Sequence, residues 1–180
     1  IYQGEELGMT NVDFELADYR DIETLNLYKE RMAQGYSEKE VMESIHAKSR
    51  DNARTPMQWE NKPGAGFTTA KPWISINPNY REINAADQAD RVDSIFSCYR
   101  QLIRLRKEWP VFAEGRYVPL AEDNPRIFAY ERRIDGPDQK GGRMVVVCNF
   151  YGGRETLPEE LPVEGMELML SNYPGREGEK

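Results

Sequence analysis

Histidine and cysteine are almost absent from this 180-residue chain, which carries one His and two Cys. His46 has no cysteine or second histidine near it in sequence, which argues against a metal site of imidazole and thiolate ligands. Cys98 and Cys148 stand far apart, one in an apolar helical pattern and one in an apolar strand pattern. That placement fits core thiols in a reducing compartment better than a disulfide frame. No Asn-X-Ser/Thr sequon occurs, in keeping with a cytoplasmic location. No apolar run approaches the roughly 18 residues of a membrane-spanning helix. Basic residues are outnumbered, 24 Lys and Arg against 31 Asp and Glu, for a net charge of −7. With no basic run either, nucleic acid and anionic membrane surfaces are not expected partners. No glycine-rich turn leads into a Lys-Ser/Thr helix, so no phosphate cradle is expected, and no cofactor is called for. The chain has no secretory signal and opens on Ile1 in a strand-like pattern, as though within a fold.

What is present centres on residues 49–59, Ser-Arg-Asp-Asn-Ala-Arg-Thr-Pro-Met-Gln-Trp. Pro56 biases Thr55 toward extended geometry, so a helix arriving from Glu38 should end before it. Arg50 and Arg54 each offer a planar fork of donors, and Trp59 offers a flat apolar face. Donor forks beside an aromatic wall suit a sugar, with its hydroxyl rim and C–H faces. The same residues also suit an ion-paired structural turn.

At 180 residues the chain is long enough for a substantial core in one domain or two small ones. Glu5 and Glu6 follow a strand-like start and Gly4, where acids serve either catalysis or the bracing of neighbouring loops. Asp18 or Asp21 caps a helix carrying Ile22, Leu25, Tyr28 and Met32 at helical spacing, and Gly35 ends it. Ser37 with Glu40 forms a capping box for a second helix with Val41, Met42 and Ile45 on one stripe. Residues 60–90 are punctuated by Pro, Gly and Asn and read as irregular; long ordered loops of this kind are usually functional. From Asp90 to Trp109, Val92, Ile95, Phe96, Tyr99, Leu102 and Ile103 predict a helix stopped by Pro110. The period then changes to two. Residues 117–120, 127–131, 144–150, a weaker run around Thr156 and 167–170 read as short strands of an antiparallel sheet. Met144-Val145-Val146-Val147-Cys148 has the continuous apolar character of a central strand buried on both faces. Tyr117, Phe128, Tyr130 and Phe150 fall at core-like strand positions. Turn residues at Asp123-Asn124-Pro125, Asp135-Gly136-Pro137, Gly141-Gly142 and Gly152-Gly153 separate strands, and a charged tail, Arg176–Lys180, closes the chain.

The order of these blocks resembles α-glucosidases of glycoside hydrolase family thirteen. Tyr2-Gln3-Gly4-Glu5-Glu6-Leu7-Gly8-Met9-Thr10-Asn11 is similar to the segment after their eighth barrel strand. Tyr19-Arg20-Asp21-Ile22-Glu23-Thr24-Leu25-Asn26 and residues 49–59 resemble later blocks. So do Ala65-Gly66-Phe67-Thr68, Pro72-Trp73-Ile74, Asn77-Pro78-Asn79-Tyr80 and Asp93-Ser94-Ile95-Phe96. Gly64 stands where the family often has Asn.

The resemblance implies a mixed α and β fragment of a larger enzyme. Residues 1–109 would be the tail of a (β/α)8 barrel: the end of the last strand, a helical insertion and the last barrel helix. Residues 110–180 would be a small antiparallel β-sandwich domain. Loops at the carboxyl ends of barrel strands face substrate, which places the insertion at the pocket. By motif, Glu23 and Arg50 match substrate-lining residues of the family, whereas Arg54 looks structural. The two should approach each other although 27 positions separate them. The family's catalytic carboxylates lie upstream of this segment, and no acid here matches them, so the fragment alone should be inactive. The implied activity of the parent is retaining hydrolysis of α-1,6 bonds in isomalto-oligosaccharides. Trehalose-6-phosphate hydrolysis and a maltase-like α-glucosidase activity share the same blocks. A structural or carbohydrate-binding module remains a different class of reading. The expected partners are an oligosaccharide and the remainder of the same polypeptide.

Overall fold

The computed structural model describes residues 1–136 and 142–173. The turn at Pro137 and Gly141 and the charged tail Arg176–Lys180 lie outside the described residues. The chain divides into two compact units, Ile1–Tyr99 and a second beginning at Arg100. No described helix is long and apolar enough to cross a membrane.

The first unit is built on a helical hairpin, α1 (Ile22–Ala33) and α2 (Glu38–Lys48). Gly35, with φ 89°, supplies the left-handed residue after α1. Asp21, not Asp18, caps α1: its side chain accepts from the Glu23 amide. Ser37 and Glu40 form the expected capping box of α2, with Ser37 Oγ accepting from the Glu40 amide at 3.3 Å and Glu40 Oε2 from the Ser37 amide at 3.0 Å. Ser37→Ala is therefore expected to cost about 1 kcal/mol, readable as weaker hydrogen-exchange protection in the first turn of α2.

Tyr19, Val41 and Ile45 form the buried cluster of this hairpin, with Phe14, Leu16, Leu25 and Tyr28 packed on it. The predicted α1 stripe is only half realised. Leu25 and Tyr28 pack inward, but Ile22 is 72% exposed and Met32 also faces out. The inward position of the first turn goes instead to Thr24, whose hydroxyl meets Ser49 Oγ at 2.9 Å.

Residues 60–90 are less irregular than their composition predicts. They hold 3-10 turns at Pro63–Gly66 and Pro78–Arg81 and a short α3 (Ala85–Ala89). Buried amides, rather than a large core, tie this segment down. Gln58, fully buried, donates to Asn79 Oδ1 at 3.0 Å and to the Ile83 carbonyl, and its own backbone oxygen accepts from Ala85. Asn77 donates to the Thr10 carbonyl, and Gln88 to that of Leu7. Gly64 has φ 73°, a left-handed backbone that Asn also tolerates, so the exchange with the family's Asn is conformationally natural.

Helix α4 (Ile95–Glu108) starts later than predicted. Ser94, whose Oγ accepts from the Ser97 amide at 3.1 Å, marks its beginning, and Val92 lies outside it at 85% exposure. Ile95, Leu102 and Ile103 are exposed, whereas Leu105 is buried.

The second unit carries a short α5 (Val111–Glu114) and one antiparallel meander, β1 (Arg116–Leu120), β2 (Ile127–Arg133) and β3 (Arg143–Asn149). Asn124 shapes the β1–β2 turn by accepting from the Arg126 and Ile127 amides. The middle strand is β2. The run expected to be central, 144–148, lies on β3 at an edge and is half-buried. No described residue around Thr156 or in 167–170 is in a strand, and the described residues of this part form one three-stranded sheet. Ile127 and Ala129 pack with Leu161, Leu120, Val147 and Val163 on one face. Glu131 is buried on that same face, its Oε2 bonded to Arg143 at 3.0 Å. Alternation then sends Phe128 and Tyr130 to the opposite face. Tyr117, Phe128 and Phe150 are consequently 47%, 49% and 77% exposed, against the core placement expected of them. With Tyr130 they form a row of rings, with neighbouring centroids 5.2–6.4 Å apart.

Candidate functional site

The first turn of α1 and the 3-10 turn Arg50–Arg54 that follows α2 meet in one ionic cluster. Ser49 ends α2 and starts the 3-10 turn, its Oγ accepting from the Asp51 amide at 3.3 Å. The Thr24–Ser49 hydroxyl bond crosses from one turn to the other, which brings residues 21 and 50 within reach.

Arg50 is gripped along one edge by Asp21. Nε reaches Asp21 Oδ2 at 2.8 Å and Nη2 reaches Oδ1 at 2.6 Å, a two-point fork that fixes the guanidinium plane. Nη2 also lies 3.1 Å from Glu23 Oε1. The three side chains differ in exposure: Asp21 is 5% exposed, Arg50 52% and Glu23 76%. A buried acid thus backs a guanidinium whose other side faces outward, with an exposed carboxylate beside it. The Arg50 hydrogen bonds hold the Asp21 carboxyl below its ordinary value of 3.8, outweighing its burial, and Asp21 in turn raises the already high Arg50 pKa. A carboxyl with a lowered folded pKa stabilises fully above its unfolded pKa. That contribution is lost as pH falls through the depressed folded value, so this grip loosens only below about pH 4.

Arg54 has a different place. Its Nη1 bonds Asp51 Oδ1 at 3.3 Å and stands 4.0 Å from Asp21 Oδ1, so it neutralises the buried acids from within the turn. Asp51 is fully buried and accepts the Arg20 amide at 2.6 Å and the Asp21 amide at 2.9 Å.

The structure therefore brings Glu23 and Arg50 together as expected from sequence. Asp21, in sequence a candidate cap, is the principal holder of Arg50, and Asp51 holds the Asp21 amide, a role that no local pattern marks. Sequence shows its adjacency to Arg50 but not its burial. Glu5 and Glu6 brace their own loop, accepting the Tyr2 and Gly4 amides at 3.1 and 2.8 Å. His46 bonds the Phe14 carbonyl at 3.1 Å. Trp59 is half-exposed, with its amide donating to the Ala65 carbonyl, and lies outside the Arg50 cluster.

An exposed, acid-backed guanidinium in the turn that ends a helical hairpin is the kind of group that binds polyhydroxylated or anionic ligands, and the wider pattern has a family. Residues 1–115 match the alpha-amylase catalytic domain, and the chain belongs to that family. Among its relatives it is 49% identical over 180 residues to oligo-1,6-glucosidase of Halalkalibacterium halodurans, covering 98% of this chain and 31% of that protein. It is 44% identical over 183 residues to trehalose-6-phosphate hydrolase of Bacillus subtilis, covering 99% and 32%. The crystal structure of Bacillus licheniformis trehalose-6-phosphate hydrolase superposes with a TM-score of 0.85 at 43% identity, over 97% of this chain and 32% of that one. The chain thus spans about a third of the length of the curated relatives it matches.

Proposed function

We propose that this chain is the C-terminal part of a retaining α-glucosidase that hydrolyses α-1,6-glucosidic bonds of isomalto-oligosaccharides. In this reading residues 1–109 close a (β/α)8 barrel, and residues 110–180 belong to a β-sandwich of which β1–β3 form one sheet. The observation that carries it is the Arg50 guanidinium, fixed along one edge by buried Asp21 and open on the other, with Glu23 beside it. Glu23 and Arg50 are the substrate-binding residues: Arg50 donates to a sugar hydroxyl, and Glu23 accepts from one or tightens the pair. The 49% identity to an oligo-1,6-glucosidase supports the linkage.

In such a reaction one carboxylate forms the glycosyl-enzyme bond while a carboxylic acid protonates the leaving oxygen, and water then reverses the roles. The described carboxylates of the Arg50 cluster are committed to amides and guanidiniums, so the chemistry belongs to acids elsewhere in the complete enzyme. Arg50 contributes orientation and charge. The free, half-buried Cys98 and Cys148 support a reducing, cytoplasmic setting.

Trehalose-6-phosphate hydrolysis is the second reading, favoured by the superposition on such an enzyme over 97% of this chain. A guanidinium suits a phosphate as well as a hydroxyl. The exposed ring row on the sheet also removes the argument against a glycan-binding module that core placement of those rings would have made.

Incubating the 180-residue chain and the complete polypeptide separately with isomaltose and with trehalose 6-phosphate distinguishes these readings. The chain alone should release no glucose above background, and the complete enzyme should release it from isomaltose. Release from trehalose 6-phosphate alone would transfer the assignment to the second reading. Hydrolysis that tracks the isolated chain through purification would overturn the placement of the chemistry outside it.

A further inference from the structure

Consecutive residues of one turn hold residue 21 twice. Arg50 binds its carboxylate at 2.6 and 2.8 Å, and Asp51 binds its amide at 2.9 Å. Asp51 also takes the preceding amide, that of Arg20, at 2.6 Å, and it is 0% exposed. A buried carboxylate is tolerated only when its oxygens are satisfied, and here two amides and the Arg54 guanidinium do so.

The start of α2 shows what this arrangement replaces. There Glu40, three residues inside the helix, accepts the amide of the cap residue Ser37. At the equivalent place α1 has Thr24, whose hydroxyl is turned to Ser49 and Asp21. The amide of the cap residue Asp21 goes instead to Asp51, 30 positions away. The direction of the Asp21 side chain, and with it the Arg50 plane, is thereby set by a tertiary contact at the backbone in addition to the cap bond from the Glu23 amide.

We propose that Asp51 is a positioning residue for substrate binding: by clamping the Arg20 and Asp21 amides it aims the Asp21 carboxylate that holds the Arg50 fork. The inference rests on the reading of Arg50 as substrate-facing. A guanidinium held within a few tenths of an ångström presents directional donors, whereas a loosened one spends its binding energy on being ordered.

The test is a double-mutant cycle in the complete enzyme on isomaltose, with Asp51→Ala, Arg50→Ala and the pair, and with melting recorded for each. Asp51→Ala should raise KM about tenfold with a smaller change in kcat, and should add little once Arg50 is already gone. Asp51→Asn retains an oxygen for the two amides and should return KM to within about threefold of the parent. It also serves if Asp51→Ala fails to fold. Equal losses from Asp51→Ala with and without Arg50, or a lowered melting point with unchanged KM, would reduce Asp51 to a structural residue and overturn the proposal. If Asp51→Ala does not fold and Asp51→Asn shows that same additivity with Arg50→Ala, the proposal falls likewise. If Arg50→Ala alone leaves KM and kcat at parent values, the substrate-facing reading fails, and the positioning role falls with it.

Discussion

Tyr19→Ala is expected to unfold most of the helical hairpin. Tyr19 is 1% exposed and lies in the buried cluster with Val41 and Ile45. Its ring meets Phe14 edge-on at 5.9 Å and stacks on His46 at 6.4 Å. Truncating a large buried aromatic costs about 3–5 kcal/mol, because packed neighbours refill such a space only partly. Set against the roughly 5–15 kcal/mol that holds a domain together, this is a major share. The melting temperature of the first unit should fall by at least about 12 °C, and the Val41 and Ile45 amides should lose exchange protection. Tyr19→Phe isolates the ring from the hydroxyl. It gives up a long 3.4 Å bond to the Val12 carbonyl and a backbone bond at Phe14 and should cost about 1 kcal/mol. Equal melting of Tyr19→Ala and the parent would show that this cluster is not the core of the hairpin.

The second large effect is on activity and separates the two arginines. Their sequence context makes Arg50 a binding residue that could be removed at little structural cost. The geometry changes that expectation, because Arg50→Ala strips the buried Asp21 of its main partner and so perturbs folding as well. Arg50→Lys is the cleaner substitution: it keeps a cation beside Asp21 but loses the planar two-point fork. In the complete enzyme it should lower kcat/KM on isomaltose by about tenfold to a hundredfold while the melting point moves little. Arg54→Ala should behave in the opposite sense. It leaves Asp51 with its two amides but without its counter-charge, for a loss of about 1 kcal/mol in stability and little change in KM. Parent-like kinetics for Arg50→Lys, together with impaired kinetics for Arg54→Ala, would exchange the roles of the two residues.

The ring row of Tyr117, Phe128, Tyr130 and Phe150 shows how far strand alternation reaches. Period two places Phe128 and Tyr130 on the same face of their strand, and the strand register brings Tyr117 and Phe150 to that face. Which face is covered depends on where the segment bearing Leu161 and Val163 returns, and that segment has no periodicity of its own. The edge position of β3 has the same cause. A continuous apolar run records low polarity on both faces but not the number of neighbouring strands.

What the sequence by itself determined are the features set by forces acting within a few residues. The Ser37–Glu40 capping box, the turn at Gly35, the end of α2 before Pro56 and the three strands with their Asn124 turn all belong to this class. So does the pairing of hydrophobic positions into a helical hairpin, once Gly35 joins two amphipathic runs. Glu23 and Arg50 became neighbours for the same reason, since a hairpin returns the chain to its starting point. Only the tertiary structure decided which acid grips Arg50 and which residue sets that grip. Asp21 and Asp51 look no different in sequence from the exposed acids around them. They differ because folding removes water from their oxygens and supplies amides and guanidiniums from about 30 positions away. A carboxylate is strongly directional only when desolvated and fully bonded, and desolvation is a property of the assembled fold, which no local pattern encodes.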